Sequence, residues 1–224
     1  SSSAASDVYK RQIFVSPEGF SDARAYYQDL KQRAKHFGRN PDELFILPGI
    51  RPIVGLDAED AERRFQQAAA LVSIDDALVA LGRPFNDYDF SGHDLDAPFP
   101  DLGDLGSQSH KGFSDQLKQL AREERLTLRQ VALRFSEPKR DFVGTAEEVA
   151  NAVQDWFEHG AADGFIINSL LPDGLQRFTE TVVPLLQQRG LLRQEYEGQT
   201  LRDNFGLAVP DNRHTLRRTQ EAVA

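Results

Sequence analysis

From Ile13 onward, apolar positions follow two rhythms that trade places along the chain. Ile13-Phe14-Val15 is a short apolar run that reads as a strand, and Ser16-Pro17-Glu18-Gly19 as the turn after it. Ser21 or Asp22 then caps a helix to Phe37, with Tyr26, Leu30, Ala34 and Phe37 at helical spacing and Gly38 as the stop. Leu44–Val54 is a second extended stretch ending at Gly55, and Asp57 is placed to cap a helix from Ala58 to about Val72. A short helix over Ile74–Leu81 precedes a Gly/Pro/Asp-rich tract from Gly82 to Gly112. Helical pieces follow over Phe113–Glu124 and Thr127–Phe135, the second opened by Thr127 and Gln130 at capping-box spacing. Thr145-Ala146-Glu147-Glu148 is another capping box and starts a helix to His159, with Gly160 as its stop. Phe165-Ile166-Ile167 is the third strand, and a helix from Leu175 to Arg189 is closed by Gly190.

Three strands, each followed by a helix, predict an α/β chain. Three strands cannot close a barrel, and a (β/α)8 barrel takes about 250 residues. The segments divide as 13–72 (strand–helix units), 73–143 (an insertion of helices and loop), 144–193 (helix, strand, helix) and 194–224 (a tail). A tract with so little regular structure as 82–112 is expected to be a lid, binding loop or linker, and the whole 73–143 insertion is expected to be the lid over the site. Residues 1–12 are expected to be a non-native leader. Ser1–Ser6 has no apolar core of a secretory signal, and Asp7-Val8-Tyr9-Lys10-Arg11-Gln12 resembles the translation of a transposon end used in sequencing libraries. A polar native N-terminus is the other reading. No methionine occurs, even at position 1, so the chain is expected to begin inside a longer gene.

Composition narrows the classes. Lys and Arg number 26 against 35 Asp and Glu, a formal charge of −9, which argues against a nucleic-acid reader. The longest apolar runs are a few residues, too short for a membrane span. The chain has no cysteine, so disulfides, thiolate metal sites and a cysteine nucleophile are excluded. No phosphate-binding glycine motif, nucleophile elbow or H-E-x-x-H is present, no metal is expected, and no catalytic residue can be named. The five histidines lack ligand spacing; His36 and His159 fall at helix C-termini, where the dipole favours a positive charge. Asp87-Tyr88-Asp89-Phe90-Ser91-Gly92 matches half of a calcium loop, but Pro98 stands where the closing carboxylate belongs, so these acids read as solvated loop.

Several blocks carry a resemblance in order: Leu47-Pro48-Gly49-Ile50-Arg51-Pro52-Ile53-Val54-Gly55, Asp94–Leu102, Phe142-Val143-Gly144-Thr145-Ala146-Glu147-Glu148-Val149-Ala150, Gly160–Phe165, Val182–Leu191 and Tyr196-Glu197-Gly198…Leu201-Arg202-Asp203-Asn204-Phe205-Gly206-Leu207. Together, from Ile13 to about Pro210, they resemble the C-terminal half of the nitrilotriacetate and dibenzothiophene-sulfone monooxygenases, within the bacterial-luciferase-like superfamily. The resemblance implies the last three strand–helix units of a (β/α)8 barrel. It implies an FMN-dependent two-component monooxygenase: reduced FMN comes from a separate NAD(P)H:flavin reductase, and one oxygen of O2 enters a small organic substrate. It also implies a homo-oligomer in a bacterial cytoplasm. Relatives handle aminocarboxylates, sulfones, sulfides and alkanes, so the substrate stays open. The family holds the FMN phosphate on a Ser/Gly turn ahead of the Ile13 region; this sequence has no such turn there, so a fragment inactive by itself is expected. A flavin- or deazaflavin-dependent dehydrogenase of the same superfamily and a non-catalytic α/β fragment are the alternatives.

Alternation along Leu44–Val54 puts Leu44, Ile46, Pro48, Ile50, Pro52 and Val54 on one face, suited to packing under helices. Phe45, Leu47, Gly49, Arg51 and Ile53 share the other, inward face. Arg51 is thus the candidate for binding an anionic substrate group or the polar edge of flavin; pairing with a core carboxylate or solvation at a strand end is the plainer alternative. Gly49 would let a ring approach, or would relieve strain. Asn168 and Ser169, just past the last strand, are candidates for contacts to the cofactor, or form a turn before Pro172. His93 and His110 lie in the insertion as further candidates to meet a substrate.

Overall fold

The structure, a computed structural model, describes residues 11–106 and 111–207, with the backbone alone for 111–113. The described chain falls into two compact units, residues 11–58 with 141–207, and residues 59–140.

The first unit is built on parallel strands. β1 (Gln12–Val15), β2 (Phe45–Ile50) and β5 (Ile166–Ile167) form a sheet in the order β1-β2-β5, and β3 (Ile53–Gly55) pairs with β4 (Val143–Thr145) in a second, two-stranded sheet. All pairings are parallel: Gln12 opposite Phe45, Gly49 opposite Ile166, Ile53 opposite Val143. The predicted stretch Leu44–Val54 is therefore two strands. Pro52 has no N–H for a ladder and disfavours a helical turn at Arg51, so the chain stays extended but leaves the first sheet. It resumes at Ile53, whose N–H donates to Phe142 O at 2.9 Å. The alternation holds across β2, where Ile46, Pro48 and Ile50 are buried and Phe45, Leu47 and Gly49 half-buried. It fails beyond Pro52: Ile53, assigned to the inward face by strict alternation, is buried together with Val54.

Pro48 has a second consequence. Even-numbered residues of β2 point their backbone groups toward β5, where Asn168 N donates to Ile50 O at 2.9 Å. Pro48 offers no N–H on that side, and the ladder to β5 is confined to Gly49 and Ile50. Below it, the Asp163 side chain takes the place of a strand: its Oδ2 accepts from Ile46 N at 2.8 Å, and Asp163 N donates to Ile46 O at 2.9 Å.

Helices cover one face of the sheet. α1 (Phe20–His36) buries Ala23 and Ala34 with Tyr27 and Leu30 half-covered, so the buried stripe runs through Tyr27 while Tyr26 is exposed. α6 (Ala146–Glu158) starts on the predicted capping box, in which Thr145 and Glu148 satisfy each other's backbone N–H groups. The predicted last helix runs from Gly174 to Gln188 with one wide turn: α7 (Gly174–Arg177), a π-type turn over Phe178–Val182, and α8 (Val183–Gln188). Pro184 cannot donate to the preceding turn, and the π turn absorbs the break without ending the helix. Ile50, Val54, Phe142, Val149, Val153, Trp156, Phe178, Val182 and Leu186 form the core, with Phe165 and Ile167 packed on it. The other face carries Phe14 (53 % exposed), Phe45, Leu47, Gly49 and Ile166.

The second unit is helical. α2 (Ala58–Ala70), α3 (Ile74–Gly82), α4 (Lys111–Glu123) and α5 (Leu128–Ser136) are joined by the long loop the composition predicts. Its core is Leu78, Leu81, Phe85, Phe90, Leu102, Leu128 and Val131. The Thr127/Gln130 capping box is present, and the buried Lys118 pins the loop by donating to Gly103 O (2.8 Å) and Leu105 O (2.7 Å). Among the described residues no helix is long and apolar enough to cross a membrane.

Candidate functional site

A parallel sheet ends with all its strand carboxyl termini on one side, so residues just past different strands meet there. Here the β2–β5 register sets Gly49 beside Ile166 and Ile50 beside Ile167, which makes Arg51 and Asn168 the next pair. Three of the four sequence candidates are thus brought to one edge. A Cβ on Gly49 would lie 3.5 Å from Asn168 Nδ2 and 3.8 Å from Val15 O, with nothing else within 4 Å. The glycine leaves a bare strip of backbone bordered by a carboxamide, against which a flat ring can lie. Arg51 is exposed, and neither its guanidinium nor the Asn168 carboxamide hydrogen-bonds to any described residue. Both residues are exposed at this edge.

Ser169 is used differently. Its hydroxyl donates to Leu171 O at 2.5 Å, and Gly174 is bare because a Cβ there would lie 2.4 Å from Ser169 Oγ. The residue shapes the loop between β5 and α7, and through it the position of Asn168.

Of the histidines, His159 caps α6 and its Nδ1 lies 3.0 Å from Asp155 O, as its helix-terminal place suggests. His36 ends α1 with its ring on Phe37. His93 sits 2.8 Å from Tyr88 Oη among the Tyr88 and Phe90 rings of the second unit. His110 lies outside the described residues. In the Asp87–Gly92 segment, Asp89 accepts from Ser91 N at 2.9 Å, an ordinary loop contact that holds its carboxyl below the usual range. No grouping of metal ligands occurs among the described residues.

Sequence reasoning missed a polar node at the opposite, amino-terminal end of the sheet. Asp163 accepts from Ile46 N, from Tyr27 Oη (2.8 Å) and from Lys31 Nζ (3.0 Å); Lys31 also donates to Pro41 O (2.9 Å) and Leu44 O (2.7 Å). Burial pushes the Tyr27 phenol well above its ordinary value, and the hydrogen bond and negative charge of Asp163 add to the shift. Conserving strand geometry is the work of this end of a parallel α/β sheet, whereas chemistry belongs at the other. The signal was a lysine on the buried stripe of α1, four residues after Tyr27 and three before Ala34.

The residues present fit a planar, oxygen-bearing cofactor along one wall only: bare backbone at Gly49 and donors at Arg51 and Asn168. A phosphate-holding turn is not among the described residues.

No protein-family model matches the chain. It is 36 % identical over 205 residues to the N-acetyl-S-(2-succino)cysteine monooxygenase of Bacillus subtilis, covering 90 % of this chain and 46 % of that protein. It is 37 % identical over 205 residues to nitrilotriacetate monooxygenase component A of Aminobacter aminovorans, covering 89 % of this chain and 45 % of that one. Among solved structures, EDTA monooxygenase from Chelativorans sp. BNC1 aligns with a TM-score of 0.58 at 28 % identity, over 92 % of this chain and 48 % of that one. The chain spans about half the length of the curated relatives it matches.

Proposed function

We propose that the chain, similar over about 90 % of its length to monooxygenases of the nitrilotriacetate-monooxygenase type, forms part of an FMN-dependent, two-component monooxygenase of that luciferase-like kind. In this reading the β1-β2-β5 sheet is an arc of a (β/α)8 cylinder, and its carboxyl-terminal edge is one wall of the flavin and substrate site. The observation that carries it is the parallel β2–β5 register, which sets Gly49, Arg51 and Asn168 on one edge. The relatives are monooxygenases, which favours oxygen transfer over the dehydrogenase alternative.

Bound reduced FMN would supply the activation of O2 that lets one oxygen atom enter a small organic substrate. What the chain's own residues do is bind and orient. Gly49 gives the ring a surface without a side chain in the way. Asn168 offers a carboxamide N–H and oxygen to the ring's polar edge, and the Ser169–Leu171 contact keeps its loop in place. Arg51 offers paired N–H donors to an anionic substrate group. A separate NAD(P)H:flavin reductase would deliver the cofactor, and the proposed setting is a homo-oligomer in the cytoplasm.

The test uses a full-length protein carrying this segment, with a flavin reductase, NADH and isotopically labelled O2. Label should appear in the product from at least one of a panel of aminocarboxylates, sulfones, sulfides and alkanes. Arg51→Ala should raise KM for an anionic substrate about tenfold or more while leaving flavin affinity unchanged. Absence of labelled product across the panel, with O2 consumption no greater than that of the reductase alone, would overturn the reading.

A further inference from the structure

The Tyr196–Leu207 run was set apart by its sequence, yet nothing in the proposed chemistry uses it. Its residues have a tight physical account. Thr200 and Asp203 form a capping box that starts α9 (Leu201–Asn204). Asn204 reads the backbone of the preceding turn: its Oδ1 accepts from Gly198 N (3.2 Å), and its Nδ2 donates to Gly198 O (3.2 Å) and Thr200 O (2.9 Å). Arg193 donates to Asn204 Oδ1 and to its carbonyl, each at 3.2 Å. Gly198 has no room for a side chain, because a Cβ would lie 2.4 Å from Asp203 Cβ. So many bonds in so short a segment fix where the next residues go. Phe205 packs its ring on Phe45, centroids 5.0 Å apart, and Leu207 is 5 % exposed.

Phe45 opens β2 and lies on the face the helices leave uncovered. Gly49, four residues further along the same face, is about 13 Å away at the other end of the strand. We infer that the 198–207 segment is a strap that seals the amino-terminal end of the uncovered sheet face, so that a ligand reaches this face from the Gly49–Asn168 end. The Asn204 bonds hold the strap in shape; Phe205 and Leu207 anchor it. The inference does not depend on which ligand binds, nor on the flavin chemistry.

Amide hydrogen exchange on the full 224-residue chain tests it. With Phe205→Ala, the amides of residues 45–47 should exchange between about twofold and about tenfold faster, the range set by loss of one aromatic pair. Leu201→Ala, at a residue 64 % exposed on the same segment, should leave them unchanged. Should Phe205→Ala fail to fold by circular dichroism, a second measurement decides. The chain has no cysteine, so Phe45→Cys/Phe205→Cys should be bridged within one chain by a short bifunctional thiol cross-linker, and Phe45→Cys/Leu201→Cys should not. Unchanged exchange in a folded Phe205→Ala, or no cross-link between positions 45 and 205, overturns the strap.

Discussion

Removing the Asp163 carboxylate should be among the most damaging single changes in the first unit. Its side chain is 17 % exposed and that of its partner Lys31 14 %. That places the pair between a surface contact, worth about 0–1 kcal/mol, and a fully buried one, whose breaking costs about 3–5 kcal/mol. Asp163→Ala leaves three donors short of an acceptor: Ile46 N, Tyr27 Oη and one arm of Lys31. Lys31 keeps Pro41 O and Leu44 O, and the tyrosine can turn to water, so the main loss is the strand N–H and the countercharge. A cost of about 3 kcal/mol follows, and about half of that for Asp163→Asn, whose oxygen can still serve Ile46 N. The chain's one tryptophan, Trp156, lies 5 % exposed in the core of the same unit, so its fluorescence reports this unit separately from the second. In urea, with a slope of about 2 kcal/mol per molar, the midpoint should fall by about 1.5 M. A double-mutant cycle with Lys31→Met should return a coupling of about 1–2 kcal/mol. A loss below about 1 kcal/mol for Asp163→Ala, or coupling within about 0.3 kcal/mol of zero, would refute the assignment of Asp163 as the acceptor that β5 cannot supply.

Three further outcomes follow from the same geometry. The Tyr27 phenol keeps its proton in the folded chain at pH values where an unfolded tyrosine, near its usual 10.0, has lost it. Its contribution is complete below about pH 10 and is lost as pH rises beyond that, so Tyr27→Phe should flatten the alkaline fall in stability followed by Trp156 fluorescence. In the second unit, two hydrogen bonds from Arg140, at 2.7 and 3.1 Å, hold the Glu62 carboxyl at about 2 against a usual 4.5. That contribution is present above about pH 4.5 and lost as pH falls toward 2, and Arg140→Gln should move the Glu62 midpoint, read by carboxyl NMR, back up toward 4.5. At the candidate site, a Cβ on Gly49 meets only ordinary contacts, so Gly49→Ala should leave the urea midpoint within about 0.3 M. Gly49→Val, whose branched side chain fills the strip beside Asn168, should weaken reduced-FMN binding in the full-length protein by about tenfold or more, measured by anaerobic titration; equal affinities would overturn the proposal that Gly49 lines a flavin site.

What could be read in the sequence, and what could not, divides along the range of the forces involved. The capping boxes at Thr127/Gln130 and Thr145/Glu148 form as expected because each is closed by residues three apart, whatever the rest of the fold does. Period-two burial in β2 is visible for the same reason, and the placement of Gly49 followed from it. Pro52 was legible as a residue without a ladder donor, yet its effect was not, since the break matters only because β4 waits beside Ile53. β4 itself is three residues long, with a glycine at its centre and half-buried neighbours on either side, too little pattern to mark a strand. On α1, Leu30 and Ala34 lie on the covered stripe as read, but Phe37 is exposed and Tyr27 takes the place of Tyr26, because the polar partner that draws Tyr27 inward lies 136 residues away.

The same distinction separates the four candidate residues. Gly49 and Arg51 were chosen on strand alternation, and Asn168 on its place past the last strand; only the β2–β5 register makes them neighbours. Ser169 was chosen on the same ground as Asn168, one residue further, yet its hydroxyl is turned back into its own loop by Leu171 O and by the space that Gly174 leaves. In parallel sheets the first residue past a strand still has its direction set by the ladder, here through Asn168 N on Ile50 O. The second is governed by the turn that follows. Position after a strand is thus evidence for a ligand contact only as far as the last ladder bond reaches, and at this edge it reaches Asn168 and stops.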